Sequence, residues 1–173
     1  MILSVATFSL KQAHNALRRG GLRKKHPYAG LRRAWVGFES PGGPGDVSPL
    51  RSAFDGASIV VQCIDWDVDG RHSPAIYGET NLKQAPSMEI AKRLVHFVMD
   101  LHRAPEEYVL IAHCHRGHYR SGSIAEFCRA DLDVEEAPFS KRLENTIGET
   151  PEQRTHNIAL LRLMRDARRE QHA

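Results

Sequence analysis

"EYVLIAHCHRGHYRSGSIAEFC" (residues 107–128) sets the architecture. From Tyr108 to Ala112 it is apolar throughout, which suits a strand covered on both faces by other layers. From Ser121 it reads as a helix that continues to Leu132. The loop between them runs from Cys114 to Arg120. The eight positions from His113 to Arg120 hold three histidines, two arginines and one cysteine. Parallel strands need helical crossovers, so strand–loop–helix order predicts an α/β fold rather than a sandwich or a bundle.

Working outward, the same alternation recurs. Residues 2–8 (ILSVATF), 32–38 (RRAWVGF) and 57–66 (ASIVVQCIDW) read as strands. Residues 10–19 read as a helix stopped by Gly20-Gly21. Residues 87–103 read as a helix with Ser87 as N-cap and one apolar face of Ile90, Leu94, Phe97, Val98 and Leu101. Residues 138–147 suggest a short helix. A last helix is expected from a Thr150 cap with Pro151 at its first position, running to a basic end. Residues 39–46 are rich in turn formers, and residues 67–85 form a long polar stretch of the functional sort. The expected architecture is α/β, a mostly parallel central sheet flanked by helices, in a single domain over residues 1–173.

Composition bounds the function. With 41% hydrophobic and 26% charged residues, the chain is globular rather than disordered, and 173 residues suit one core. A net charge of +3 does not demand a nucleic-acid partner. No run of 18 apolar residues marks a membrane span. Apolar residues precede basic ones at the N-terminus, the reverse of a secretory leader. Cys63, Cys114 and Cys128 are an odd, widely spaced set. They argue against a disulfide framework and for a reducing cytoplasm. Cys63 and Cys128 read as core. The alternative for Cys63 is a reversible disulfide with oxidised Cys114.

The chemistry concentrates in the loop. A helix N-terminus after a strand presents free N–H groups and a positive dipole end to an anion. Gly117 suits a tight curl of amides that leaves no room for a Cβ. Arg120 supplies a planar fork that matches two phosphate oxygens. A cysteine at the start of this loop sits beneath the anion, and the surrounding donors favour its nucleophilic thiolate. His115, Arg116 and His118 raise the local positive potential and favour acidic or multiply phosphorylated substrates.

Read together, His113-Cys114-His115-Arg116-Gly117-His118-Tyr119-Arg120-Ser121 has the form H-C-x-x-G-x-x-R-S. It resembles the signature of the cysteine-dependent protein tyrosine and dual-specificity phosphatases, small bacterial members in particular. The resemblance covers roughly residues 57–170 and implies a protein tyrosine phosphatase-like fold of the dual-specificity type. It implies hydrolysis of phosphate monoesters, protein phosphotyrosine foremost, with neither metal nor organic cofactor. Phosphoserine, phosphothreonine, RNA 5′-ends and inositol phosphates stay open as substrates. By the same resemblance Cys114 attacks phosphorus and becomes phosphocysteine. Arg120 and the amides of His115, Arg116, Gly117, His118 and Tyr119 hold the phosphate oxygens. Ser121 assists loss of the cysteine-bound phosphoryl group, and His113 organises the loop by hydrogen bonding. An aspartate on another loop protonates the leaving oxygen. "CIDWDVDG" offers Asp65, Asp67 and Asp69. Asp67, at the mouth of its strand, is favoured, with Glu79 as an outside candidate.

Three other readings compete. A phosphate-reading module keeps the loop without turnover. A rhodanese-type sulfurtransferase also sets a cysteine in an anion-binding loop, but five residues between Cys114 and Arg120, followed by Ser121, favour phosphate. A zinc site built from His113, Cys114, His115 and His118 conflicts with amides and Arg120 aimed at the same spot. The sequence leaves the oligomeric state and the partner protein open.

Overall fold

In a computed structural model the structure describes residues 1–18, 30–39, 57–63, 85–114, 117–145 and 156–172. Their elements are β1 (Ile2–Ser9), α1 (Leu10–Arg18), β2 (Arg32–Glu39), β3 (Ser58–Gln62), α2 (Met88–Arg103), β4 (Tyr108–Cys114), α3 (Tyr119–Leu132), β5 (Glu135–Glu136), a 3₁₀ turn (Lys141–Asn145) and α4 (Ile158–His172). The strands form one five-stranded sheet in the order β3-β2-β4-β1-β5, and every pairing is parallel. The expected α/β sheet flanked by helices is therefore present. β4 lies at its centre, which explains the uninterrupted apolar run: all seven of its residues are buried.

Side chains alternate across each strand, so the sheet has two differently covered faces. On one face Val5, Ala34, Val36, Phe38, Leu110, Ala112 and Cys114 pack with residues of α2, α3 and α4, including Leu94, Ile124, Phe127 and Leu160. On the other Ala6, Phe8, Trp35, Val109 and Ile111 pack with Ala13 of α1 and with Ala137. Phe8 meets Trp35 and Phe139 edge-on, with centroids 6.3 and 6.0 Å apart.

The caps follow local chemistry. Ser87 Oγ accepts from the Ile90 N–H and starts α2 as expected. At α1, Gln12 Oε1 accepts from the Ser9 N–H, and Ser9 Oγ accepts from the Gln12 N–H, a reciprocal capping box.

Two expectations are corrected. Among the described residues of the stretch read as a helix over 138–147, Lys141–Asn145 is helical, as a 3₁₀ turn, and Ser140 before it is drawn into side-chain bonds with β1. The last helix begins at Ile158, after the non-helical His156 and Asn157, and the expected Thr150 cap and Pro151 lie outside the described residues. Asn157 caps it, its Oδ1 accepting from the Leu160 N–H, while the Asn157 N–H bonds back to Tyr119. The two-residue β5, too short to carry a periodic signal, is a strand the sequence does not announce.

Candidate active site

The carboxyl ends of β1 and β4 are where the connections part to opposite faces of the sheet. β1 leads to α1 on one face of the sheet, and its neighbour β4 leads to α3 on the other. Loops leaving adjacent strands for opposite faces open a cleft at the carboxyl ends, the usual ligand position in parallel sheets. The strand ends are level there: Ser9 pairs with Cys114 and Phe8 with His113. The N-termini of α1 and α3 both lie at this edge, bringing two positive dipole ends to one place.

Cys114 is 2% exposed, and its sulfur faces the loop. The Gly117 N–H donates to Sγ at 3.3 Å, and Ser121 Oγ lies 3.2 Å from the same atom. Gly117 has φ +80°, in the left-handed region. A Cβ at Gly117 would meet the Ser9 nitrogen at 2.6 Å, the Phe8 carbonyl carbon at 2.7 Å and Lys141 Cγ at 2.9 Å. Glycine is required twice over, by the backbone angle and by the space.

Arg120 lies in the first turn of α3 and is buried, with Nη1 donating to the Cys63 carbonyl at 2.5 Å. That bond ties the start of α3 to the end of β3, the strand that leads into Asp65, Asp67 and Asp69. Cys63 itself is fully buried in the core, as is Cys128, whose thiol burial pushes far up. All three cysteines are free thiols.

His113 is fully buried on the Trp35 face, its ring edge-on to Trp35 at 6.3 Å. It lies over Gly37, where a Cβ would meet His113 Nε2 at 2.9 Å. Burial first, then the charges of His14 and Arg120, lower its pKa to about 4, so the ring is neutral at neutral pH. Among the described residues neither ring nitrogen has a hydrogen-bond partner, and packing is what holds the ring. The hydrogen bond to the loop expected of His113 is not made to any described residue.

His118 and Tyr119 stand half-buried where the loop enters α3. The structure thus brings His113, Cys114, Gly117, His118, Tyr119, Arg120 and Ser121 to one edge. His115, Arg116, Asp65, Asp67, Asp69 and Glu79 lie outside the described residues. Among the described residues no three histidine, cysteine, aspartate or glutamate side chains are grouped to hold a metal ion. Nor is any helix among them long and apolar enough to cross a membrane.

The sequence reading does not single out Glu39 or Lys141. Glu39 is a buried carboxylate at the carboxyl end of β2, accepting the Cys63 N–H on its carbonyl. An acid closing an apolar strand is the same signal that points to Asp65–Asp69. Lys141 reaches Gly117 from a segment 24 positions on, which no local pattern reveals. Compared with protein-family models, curated proteins and solved structures, the chain matches none of them.

Proposed function

We propose that this chain is a cysteine-dependent phosphatase with a protein tyrosine phosphatase-like fold, hydrolysing phosphate monoesters through a phosphocysteine intermediate. The observation that carries the reading is the environment of the Cys114 sulfur. It accepts the Gly117 N–H, contacts Ser121 Oγ, and ends a central strand directly before a helix whose first turn holds a buried arginine. In this reading the sulfur at that position is the nucleophile.

In the first step the Cys114 sulfur attacks phosphorus and the bond from phosphorus to the ester oxygen breaks. The leaving oxygen takes a proton from a carboxylic acid, assigned here to Asp67 with Asp65 and Asp69 as alternatives. In the second step the same carboxylate removes a proton from water. The water oxygen attacks phosphorus, and the S–P bond breaks to return the thiolate and inorganic phosphate. Arg120 and the loop amides stabilise the charge on the equatorial oxygens in both steps. The Ser121 hydroxyl, already in contact with sulfur, stabilises the departing thiolate. Neutral His113 adds no cation of its own beneath the loop. No metal or organic cofactor enters this scheme.

Aryl phosphates have good leaving groups, and phosphotyrosine in proteins is the leading substrate. Three free, buried cysteines suit a reducing compartment such as the cytoplasm.

Hydrolysis of p-nitrophenyl phosphate tests the reading. Cys114→Ser should abolish turnover, and Asp67→Asn should slow it roughly 10²–10⁴-fold. A larger loss at Asp65→Asn or Asp69→Asn reassigns the acid. Wild-type protein that binds phosphate yet turns over no faster than Cys114→Ser would be a binding module, and the phosphatase reading would be withdrawn.

A further inference from the structure

A buried strap runs under the loop. Ser140 Oγ accepts the Thr7 N–H at 2.8 Å and bonds Glu136 Oε1 at 2.7 Å. Because the Ser140 proton goes to the carboxylate, the Thr7 hydroxyl, 2.9 Å away, donates to Ser140. Thr7 Oγ1 in turn accepts the Arg142 N–H at 2.9 Å. The Arg142 side chain, fully buried, donates to Glu136 through Nε and Nη2 at 2.6–3.0 Å and to Glu126 through Nη2 at 3.0 Å. Residues on both sides of Lys141 are therefore sewn to Thr7, two positions before the end of β1. The aliphatic stem of Lys141 is delivered against Gly117, with Cγ 2.9 Å from where a Cβ would stand.

We propose that Lys141 is a positioning residue for Cys114. Its methylene stem, held by the Thr7–Ser140–Arg142–Glu136 strap, backs Gly117 and keeps the Gly117 N–H aimed at the sulfur. The Phe8–Ser9 backbone and this stem together fill the side of Gly117 where a Cβ would stand, and a left-handed glycine without such backing has several other conformations open to it. The role belongs to the stem and not to the ammonium charge. Its catalytic meaning rests on the phosphatase reading, but its physical content is the reactivity of one thiol.

The experiment is alkylation of Cys114 by iodoacetamide, followed by mass spectrometry of the peptide that contains it, at neutral and at alkaline pH. Thiolate is the reacting form, so loss of one donor to sulfur should slow the neutral reaction of Lys141→Ala about tenfold, the weight of one net hydrogen bond. The alkaline rate should stay within about twofold, since there the thiol ionises without help. Lys141→Met keeps the stem and should react like wild type at both pH values. Ser140→Ala loosens the strap without touching Lys141 and should shift the neutral rate in the same direction by a smaller factor; it also serves should Lys141→Ala fold poorly. Equal neutral rates for Lys141→Ala, Ser140→Ala and wild type overturn the proposal, as does a Lys141→Met rate as low as that of Lys141→Ala. Wild-type turnover of p-nitrophenyl phosphate is measured alongside. Its absence sinks the phosphatase reading and leaves the alkylation comparison to decide on Lys141.

Discussion

Arg120 and Arg142 are both buried, and the chain treats them differently. Arg142 is clamped by two carboxylates, Glu136 and Glu126, and Arg129 adds bonds to Glu126 at 2.5 and 3.3 Å. Burial pushes the Glu126 carboxyl up, but the hydrogen bonds and charges of Arg129 and Arg142 outweigh it and hold the carboxyl below the usual carboxylate range. Arg120 stands in the first turn of the helix that follows Cys114, and its Nη1 donates to the Cys63 backbone oxygen at the end of β3. One guanidinium cements its segment to β5 and α3. The other, six positions after a sulfur that receives an N–H and touches a hydroxyl, joins the start of α3 to the end of β3. The contrast teaches that two buried arginines can be used differently: one guanidinium is shared by two carboxylates, while the other reaches across to the backbone at the end of β3 and ties α3 to it.

Exchanging the two roles is the sharpest way to break this contrast. Arg120→Ala should lower the rate of p-nitrophenyl phosphate hydrolysis by about 10³-fold or more, since removal of a single oxyanion donor already costs 10²–10³. Its urea midpoint should stay closer to wild type than that of Arg142→Ala. Arg142→Ala removes the buried cation that Glu136 and Glu126 share and should destabilise the fold by about 3–5 kcal/mol, read by urea unfolding. The contrast fails if Arg120→Ala unfolds more readily than Arg142→Ala while keeping its turnover.

Next in size is an acid effect centred on His113. Its pKa falls from 6.5 in the unfolded chain to about 4 in the folded one, mainly through burial, with His14 and Arg120 adding to it. Below about pH 6.5 the unfolded state takes a proton that the folded state refuses, so this contribution to stability is intact above pH 6.5 and is lost as pH falls towards 4. The loss should approach about 3 kcal/mol, and His113→Asn should flatten that part of the stability–pH curve. A curve unchanged by His113→Asn would contradict the buried neutral ring.

Gly117→Ala should cost about 1–3 kcal/mol for a non-glycine residue at positive φ, with further loss from the contact with Ser9. Turnover should fall far more than stability does. The smallest effect tests a helix cap outside the loop: Ser87→Ala removes a cap from α2 and should cost about 1 kcal/mol, read by urea unfolding.

Legibility followed sequence distance. The Cys114 loop was readable because Cys114, Gly117, Arg120 and Ser121 fall within eight consecutive positions, and the chain itself brings them together. β4 was readable because its centre-of-sheet burial on both faces demands an unbroken apolar run. The true start of α4 was not, because Thr150-Pro151 is the stronger local signal, whereas the Asn157 cap is reinforced by Ser123 and Tyr119 of another helix.

What the sequence determined by itself was the set of local, periodic features: an α/β alternation, the strand–loop–helix around Cys114, and the donors the loop could offer. Tertiary structure alone decided the strand order that sets β1 beside β4, the seat of His113 over Gly37, and the arrival of Lys141 at Gly117. Hydrophobic period and backbone angle are imprinted residue by residue. Pairings between segments are chosen by which faces can be buried together, and that choice is made only when the whole chain folds.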